Sequence, residues 1–226
     1  FWNKLTIDGI NIEIDNKIVN YLYYARIFLK KYERIEIDQI KNYLSEDLDT
    51  IEFGCGIGIT SSHILKKMKT DNRLFCFEAN PELCKILKKN LIINCKSENY
   101  YIENKLINYN EKYSFFKKEK DYLLSKVHDH DYDDKLIEIE TIKLNQIIKK
   151  YNIQSYNLVC DIEGSEILIL LEDSNVLKNC ETLIIELHPT KYNNYEYHIQ
   201  DIEKIILGLG FKKINEQHAC KVYKKK

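Results

Sequence analysis

Proline and glycine are scarce in this chain of 226 residues, which holds two of the first and seven of the second. The chain has no long low-complexity linker and no internal repeat. Its seven cysteines are odd in number and scattered singly, with no C-x-x-C pair. That pattern excludes a disulfide frame or a paired zinc site and predicts buried reduced thiols in a cytoplasmic setting. No apolar run approaches the length of a membrane span, and no signal peptide is visible. Neither sign of charge dominates, with 34 basic residues against 35 acidic. The chain therefore lacks the global field that would hold it on nucleic acid. At 44% hydrophobic content it can bury a real core, and its length suits one α/β domain with an accessory segment. An opening on Phe1 rather than Met is expected of a piece of something longer.

Short apolar runs alternate with amphipathic stretches from "DTIEF" onward, the pattern of a parallel sheet covered by helices. Strands are predicted near 49–53, 73–78, 99–103, 156–161 and 181–187. The tail adds a helix closed by glycine and two more strands, 211–216 and 219–224, as a hairpin at the sheet edge. The expected fold is thus α/β, with a mostly parallel seven-stranded sheet and a terminal antiparallel strand. Two segments fall outside the alternation: residues 1–46, expected as a helical cap before a domain spanning 47–226, and a polar insertion at about 105–135. Either could close over a ligand. The run "HDHDYDD", 128–134, has metal-binding residue types, but solvated charge explains it better.

Against this scarcity, "IEFGCGIGIT" places three glycines, Gly54, Gly56 and Gly58, within five residues. A glycine-rich turn between a first strand and a helix lets a cofactor touch the backbone and the helix N-terminus. The dinucleotide fingerprint would require glycine at 59, where Ile59 stands, so a dehydrogenase is disfavoured. The spacing G-x-G-x-G, with Glu52 two positions before it, resembles the first motif of S-adenosylmethionine-dependent methyltransferases. The next strand, "LFCFEANPEL", delivers Glu78 to its C-terminal end, where a carboxylate can accept from both ribose hydroxyls. Ala79 would suit the adenine face, and Asn104, after the third strand, would approach the adenine edge.

Together with "LVCDIEGSE" and "LIIELHP", these motifs resemble the FkbM-type methyltransferases over about residues 45–190. That resemblance implies the Rossmann-like class I methyltransferase fold, S-adenosylmethionine as methyl donor, and O-methylation of a hydroxyl, often on a sugar. A glycan, glycolipid or polysaccharide precursor is the expected acceptor. The alternatives are an RNA or protein methyltransferase, or a binding module without catalysis. The chain departs from the family pattern at Gly56, where an Asn is usual, at Ala79, where a Pro is usual, and at Val159, where a Lys is usual.

A sugar hydroxyl needs a base or a metal to stabilise its developing alkoxide. Asp161 closes the fourth strand, Glu186 and His188 the fifth, and Glu163 follows in the next turn. Glu186 and His188, two apart, point to one face of a strand. His188 is expected as proton acceptor because imidazole titrates near neutrality, with Asp161 positioning the acceptor or the histidine, and Asp161 or Glu163 as the alternative base. Glu166 is expected to complement its helix N-terminus. Mg²⁺ held by Asp161 and Glu186 is the less favoured alternative. Oligomeric state is not legible.

Overall fold

Apolar runs too short for helices and bounded by polar turns form the strands of the computed structural model, which describes residues 4–15, 21–29, 31–95, 98–109, 112–117 and 136–226. The first segment contains β1 (Lys4–Ile7), β2 (Ile10–Glu13), α1 (Tyr21–Phe28) and α2 (Arg34–Tyr43). Next come β3 (Asp49–Phe53), α3 (Ile59–Lys67), β4 (Leu74–Phe77), α4 (Pro81–Asn94) and β5 (Tyr100–Glu103). Three strands follow, β6 (Leu106–Ile107), β7 (Tyr113–Lys117) and β8 (Leu136–Ile142), and then α5 (Leu144–Tyr151), β9 (Tyr156–Cys160), α6 (Glu166–Glu172) and β10 (Cys180–Glu186). The chain ends with β11 (Thr190–Tyr192), β12 (Tyr195–Tyr197), α7 (Ile199–Gly208), β13 (Phe211–Gln217) and β14 (Cys220–Lys225).

The seven-stranded sheet has the order β13-β14-β10-β9-β3-β4-β5. β9, β10, β3, β4 and β5 pair in parallel, and β14 runs antiparallel to both of its neighbours. All seven strands lie within about two residues of their predicted places. Side chains alternate between two apolar layers. Leu158 and Cys160 of β9 join Leu183 and Ile185 of β10 on one face, with Ile147 of α5 and Ile202 of α7. Val159 and Ile184 point the other way, toward Ile40 of α2, Ile64 of α3 and Leu87 of α4. Strands covered on both faces need continuous apolar sequence, which is what these runs supply.

Three pairings were not predicted. Residues 4–13 form an antiparallel hairpin where a helical segment is expected; Asp8 (φ 50°) and Gly9 (φ 80°) turn it, and Ile7, Ile10 and Ile12 pack it on Ile57, Leu83 and Ile86. β6 and β7, in the expected insertion, pair parallel and antiparallel respectively with β8, which follows it. β11 and β12 make a small hairpin directly after the fifth parallel strand. The run 128–134 lies outside the described residues. No helix among those described is long and apolar enough to cross a membrane.

Candidate active site

Strand order reverses between β3 and β9, so their carboxyl ends open a crevice at the switch point of the sheet. The glycine turn and Asp161 meet there. A Cβ on Gly54 would stand 1.8 Å from the backbone oxygen of Asp161, and one on Gly58 would stand 2.6 Å from Leu87 Cδ1 of α4. Gly54, Gly56 and Gly58 all have positive φ (82°, 52° and 84°), where L side chains are strained. Gly54 and Gly58 thus have packing reasons of their own. The amide of Gly56 points instead at a side chain.

That side chain is Glu78. One carboxylate oxygen accepts from the Gly56 N–H at 2.9 Å and the other from the Asn80 N–H at 2.8 Å. Glu78 is 7% exposed. Burial pushes its pKa up to about 7, against the backbone hydrogen bonds that favour its charge. Each oxygen keeps a lone pair for a further donor. Asn104 spans the rim, its Nδ2 donating at 2.8 Å to the carbonyls of both Glu78 and Ala79. Glu52 sits deeper, 1% exposed, and accepts from the hydroxyls of Thr60 and Ser61 in the first turn of α3. Its carboxylate ties the end of β3 to the helix that follows the glycine turn.

Across the crevice, Asp161, Glu163 and His188 place ligand-type atoms all within 4.8 Å of one another. Glu163 (φ 53°) and Gly164 (φ 103°) form two successive left-handed residues that turn the chain sharply into α6. His188 Nδ1 lies 3.0 Å from Glu166 Oε1, and its Nε2 lies 3.9 Å from both Glu163 Oε2 and Glu186 Oε1. Glu166 is fully buried and also accepts from the Ile162 N–H at 3.1 Å, so it fixes the imidazole as well as the start of α6.

The expectation that His188 titrates near neutrality is not met. Burial alone would lower its pKa, but the Glu166 hydrogen bond and the charges of Glu166, Asp161 and Glu163 outweigh it and raise the value to about 9. Asp161 moves toward neutrality instead. Burial and the Glu186 charge push it up to about 7, with His188 opposing.

Two further acids reach this site from the first segment. Glu33 precedes α2 at φ 50°; burial, then the charges of Glu52 and Asp161, push it up to about 8. Glu36 is raised well above the carboxylate range by burial and by Asp161, Glu33, Glu52 and Glu186. Buried oxygens of Asp161 (Oδ1), Glu33 (Oε2) and Glu166 (Oε2) have no hydrogen-bond partner among the described residues. Nothing in the spacing of "KYERIEIDQ" set these glutamates apart from solvated helix charges, and only the packing of α2 against α3 and β10 brings them here.

A sheet in this order, with its antiparallel strand second from one edge and its ligand edge so furnished, is that of the Rossmann-like S-adenosylmethionine-dependent methyltransferases. More particularly, the chain belongs to the family of the methyltransferase FkbM domain, whose model matches residues 54–213. None of the curated proteins compared matches it. Among solved structures it is similar to a protein of the NADB-Rossmann superfamily from Streptococcus agalactiae, at 13% identity and a TM-score of 0.49, over 84% of this chain and 67% of that one. It is also similar to magnesium protoporphyrin IX methyltransferase from Synechocystis PCC 6803 with bound S-adenosylmethionine, at 11% identity and a TM-score of 0.47, over 92% and 85% of the two chains. Neither likeness adds to the fold already described.

Proposed function

We propose that the chain transfers a methyl group from S-adenosylmethionine to a hydroxyl of a sugar-containing acceptor, such as a glycan, glycolipid or polysaccharide precursor. The observation that carries this reading is the set of half-buried, mutually repelling carboxylates around Asp161, with buried oxygens on Asp161 and Glu33 that have no partner among the described residues. Such a cluster favours a cationic guest, and the donor carries a sulfonium and an ammonium. The turn 54–58 would hold it, with Glu78 accepting from the ribose hydroxyls, Ala79 beside the adenine and Asn104 fixing the loop at its edge. Glu52 would act by holding the turn in place. Bound there, the donor supplies an electrophilic methyl group in line with an incoming oxygen.

The chain's own residues then handle the proton. Asp161, at about 7, is poised to take it from the acceptor hydroxyl, with Glu163 the alternative base. His188, protonated up to about 9 and oriented by Glu166, is a positive group beside the oxygen on which negative charge develops. This reverses the roles expected of Asp161 and His188. The first segment, through Glu33 and Glu36, and the insertion beginning at Lys105 are the acceptor-facing walls of this reading. The test is incubation with methyl-labelled S-adenosylmethionine and separate fractions of glycans, nucleotide sugars, RNA and protein. Label should enter a sugar-containing fraction and be lost with Asp161→Asn. Label entering RNA or protein instead would replace the acceptor class.

A second reading rests on the clustering of Asp161, Glu163 and His188 ligand atoms, with Glu186 adjacent. That set could hold a divalent cation that polarises the acceptor oxygen. Loss of transfer on chelation, restored by Mg²⁺, would favour it.

A further inference from the structure

A second cavity, of about 540 Å³, opens beside α5; the insertion that begins at Lys105 lines part of it, and none of the residues assigned above to the donor or to the proton does. Four lysines from three stretches of chain line it: Lys105 between β5 and β6, Lys112 before β7, and Lys143 and Lys150 at the two ends of α5. Two of them are compensated. Lys150 reaches Glu103 at 2.8 Å, and Lys105 lies 3.2 Å from Glu103 and 3.4 Å from Glu140. Lys112 and Lys143 have no carboxylate partner among the described residues. Their ammonium groups instead stand over aromatic rings, Lys112 at 5.2 Å from Tyr113 and Lys143 at 5.7 Å from Tyr109. Gln146 adds an oriented donor: its Oε1 accepts from the Lys143 N–H at 2.9 Å, which leaves the amide NH₂ as the group it can offer. The first amides of α5 contribute nothing, because Leu144 N–H already faces Tyr109 Oη and Asn145 N–H donates to Asp173.

Among the described residues, four ammonium groups against two carboxylates leave a local positive excess in a chain whose net charge is −1. Like charges held around one cavity repel, and an anion between them removes that cost. The cavity is also within the size range of small-molecule sites and far exceeds what a single phosphate fills. We infer that it is a binding site for a diphosphate-bearing small molecule of about nucleoside-diphosphate size, with Lys112, Lys143 and the Gln146 amide on the phosphates. Lys105 and Lys150 set the field around them. Lysine binds phosphate as a point charge, so the site is expected to read charge more than base or sugar identity.

The test is calorimetric titration of the whole chain with inorganic pyrophosphate, with a nucleoside diphosphate and with the uncharged nucleoside. Both diphosphates should bind, more weakly as salt is raised, and the nucleoside alone should not. Lys112→Glu with Lys143→Glu should weaken diphosphate binding at least about tenfold. The milder Lys112→Gln with Lys143→Gln should weaken it less, and both double variants should keep wild-type affinity for S-adenosylhomocysteine. That last titration separates this site from the methyl-transfer reading. Absence of diphosphate binding in a wild-type chain that binds S-adenosylhomocysteine would overturn the inference. So would diphosphate binding that charge reversal leaves unchanged, or equal binding of the nucleoside.

Discussion

Gly54→Ala should unfold the joint between the glycine turn and the end of β9. A Cβ there would lie 1.8 Å from the Asp161 carbonyl oxygen, whereas non-bonded contact needs roughly 3.5 Å. The ends of β3 and β9 would have to part by more than about 1 Å. They are held by the Asp161 N–H donating to the Phe53 carbonyl at 3.0 Å, while the Gly54 N–H, donating to the Phe77 carbonyl at 3.0 Å, ties the same turn to β4. Losing one buried hydrogen bond costs about 1–3 kcal/mol, and φ of 82° costs an L residue roughly 1–2 kcal/mol more. The expected loss is about 2–5 kcal/mol, or on the order of ten degrees in Tm for a chain this long. Gly164→Ala is the control. Its φ of 103° is also strained, but the nearest atom is a side-chain oxygen of Thr190 at 3.3 Å, which can turn away. Thermal melts and S-adenosylhomocysteine titrations of both variants provide the assay. If Gly54→Ala melts within a degree or two of wild type, or no lower than Gly164→Ala, the close approach of turn and strand is wrong.

The pH dependence of transfer should follow the groups at the strand ends. With the acceptor identified by labelling, the rate should climb through about pH 7 as Asp161 loses its proton and fall above about 9 as His188 does. His188→Gln removes the charge that holds Asp161 down, so the rising limb should move to higher pH; a limb that stays in place would remove the imidazolium from the account. Stability should also carry a pH signature. Glu33, Glu78 and Asp161 are raised to about 8, 7 and 7 from ordinary carboxylate values, and His188 to about 9 from an imidazole value. A raised folded pKa gives stability that is complete below the unfolded pKa and lost as pH rises through the folded one. His63, lowered to about 4 by burial, has the opposite sign and loses its contribution only as pH falls below about 6.5. The Tm of the free chain should therefore fall between about pH 6.5 and 8.5, less steeply in Glu33→Gln. A Tm that rises over that interval would contradict the buried carboxylates.

Most of the sheet could be read from the sequence because parallel strands buried on both faces have unbroken apolar runs, as in "LFCF" and "LIIE", and each ends on a polar residue at the ligand edge. The two small hairpins were less visible. Asp8-Gly9, flanked by "LTI" and "INI", is a strong turn signal that a helical reading of the first segment overlooked. Asn193 and Asn194, both at positive φ, similarly turn β11 into β12 between short polar strands with little burial. At the site, Gly54, Glu78, Asp161 and His188 stood out because a single strand end determines each position. Glu33 and Glu36 did not, since only tertiary packing makes them neighbours of Asp161. The proposed proton acceptor, Asp161, also differs from the histidine expected from the sequence. A histidine's titration is set by what surrounds it, and Glu166, fully buried, read in the sequence as a helix cap.

The central claim, that the donor sits on the 54–58 turn with its ribose on Glu78, is tested most directly by calorimetric titration of S-adenosylhomocysteine into wild type, Glu78→Gln and Glu78→Ala. Wild type should bind. Glu78→Gln keeps one acceptor oxygen and should lose part of the affinity. Glu78→Ala leaves the ribose and the Gly56 and Asn80 amides without their acceptor, and it should lose at least about tenfold while remaining folded by circular dichroism. Equal affinity in a folded Glu78→Ala variant, or binding of NAD in place of S-adenosylhomocysteine by the wild type, would contradict the account.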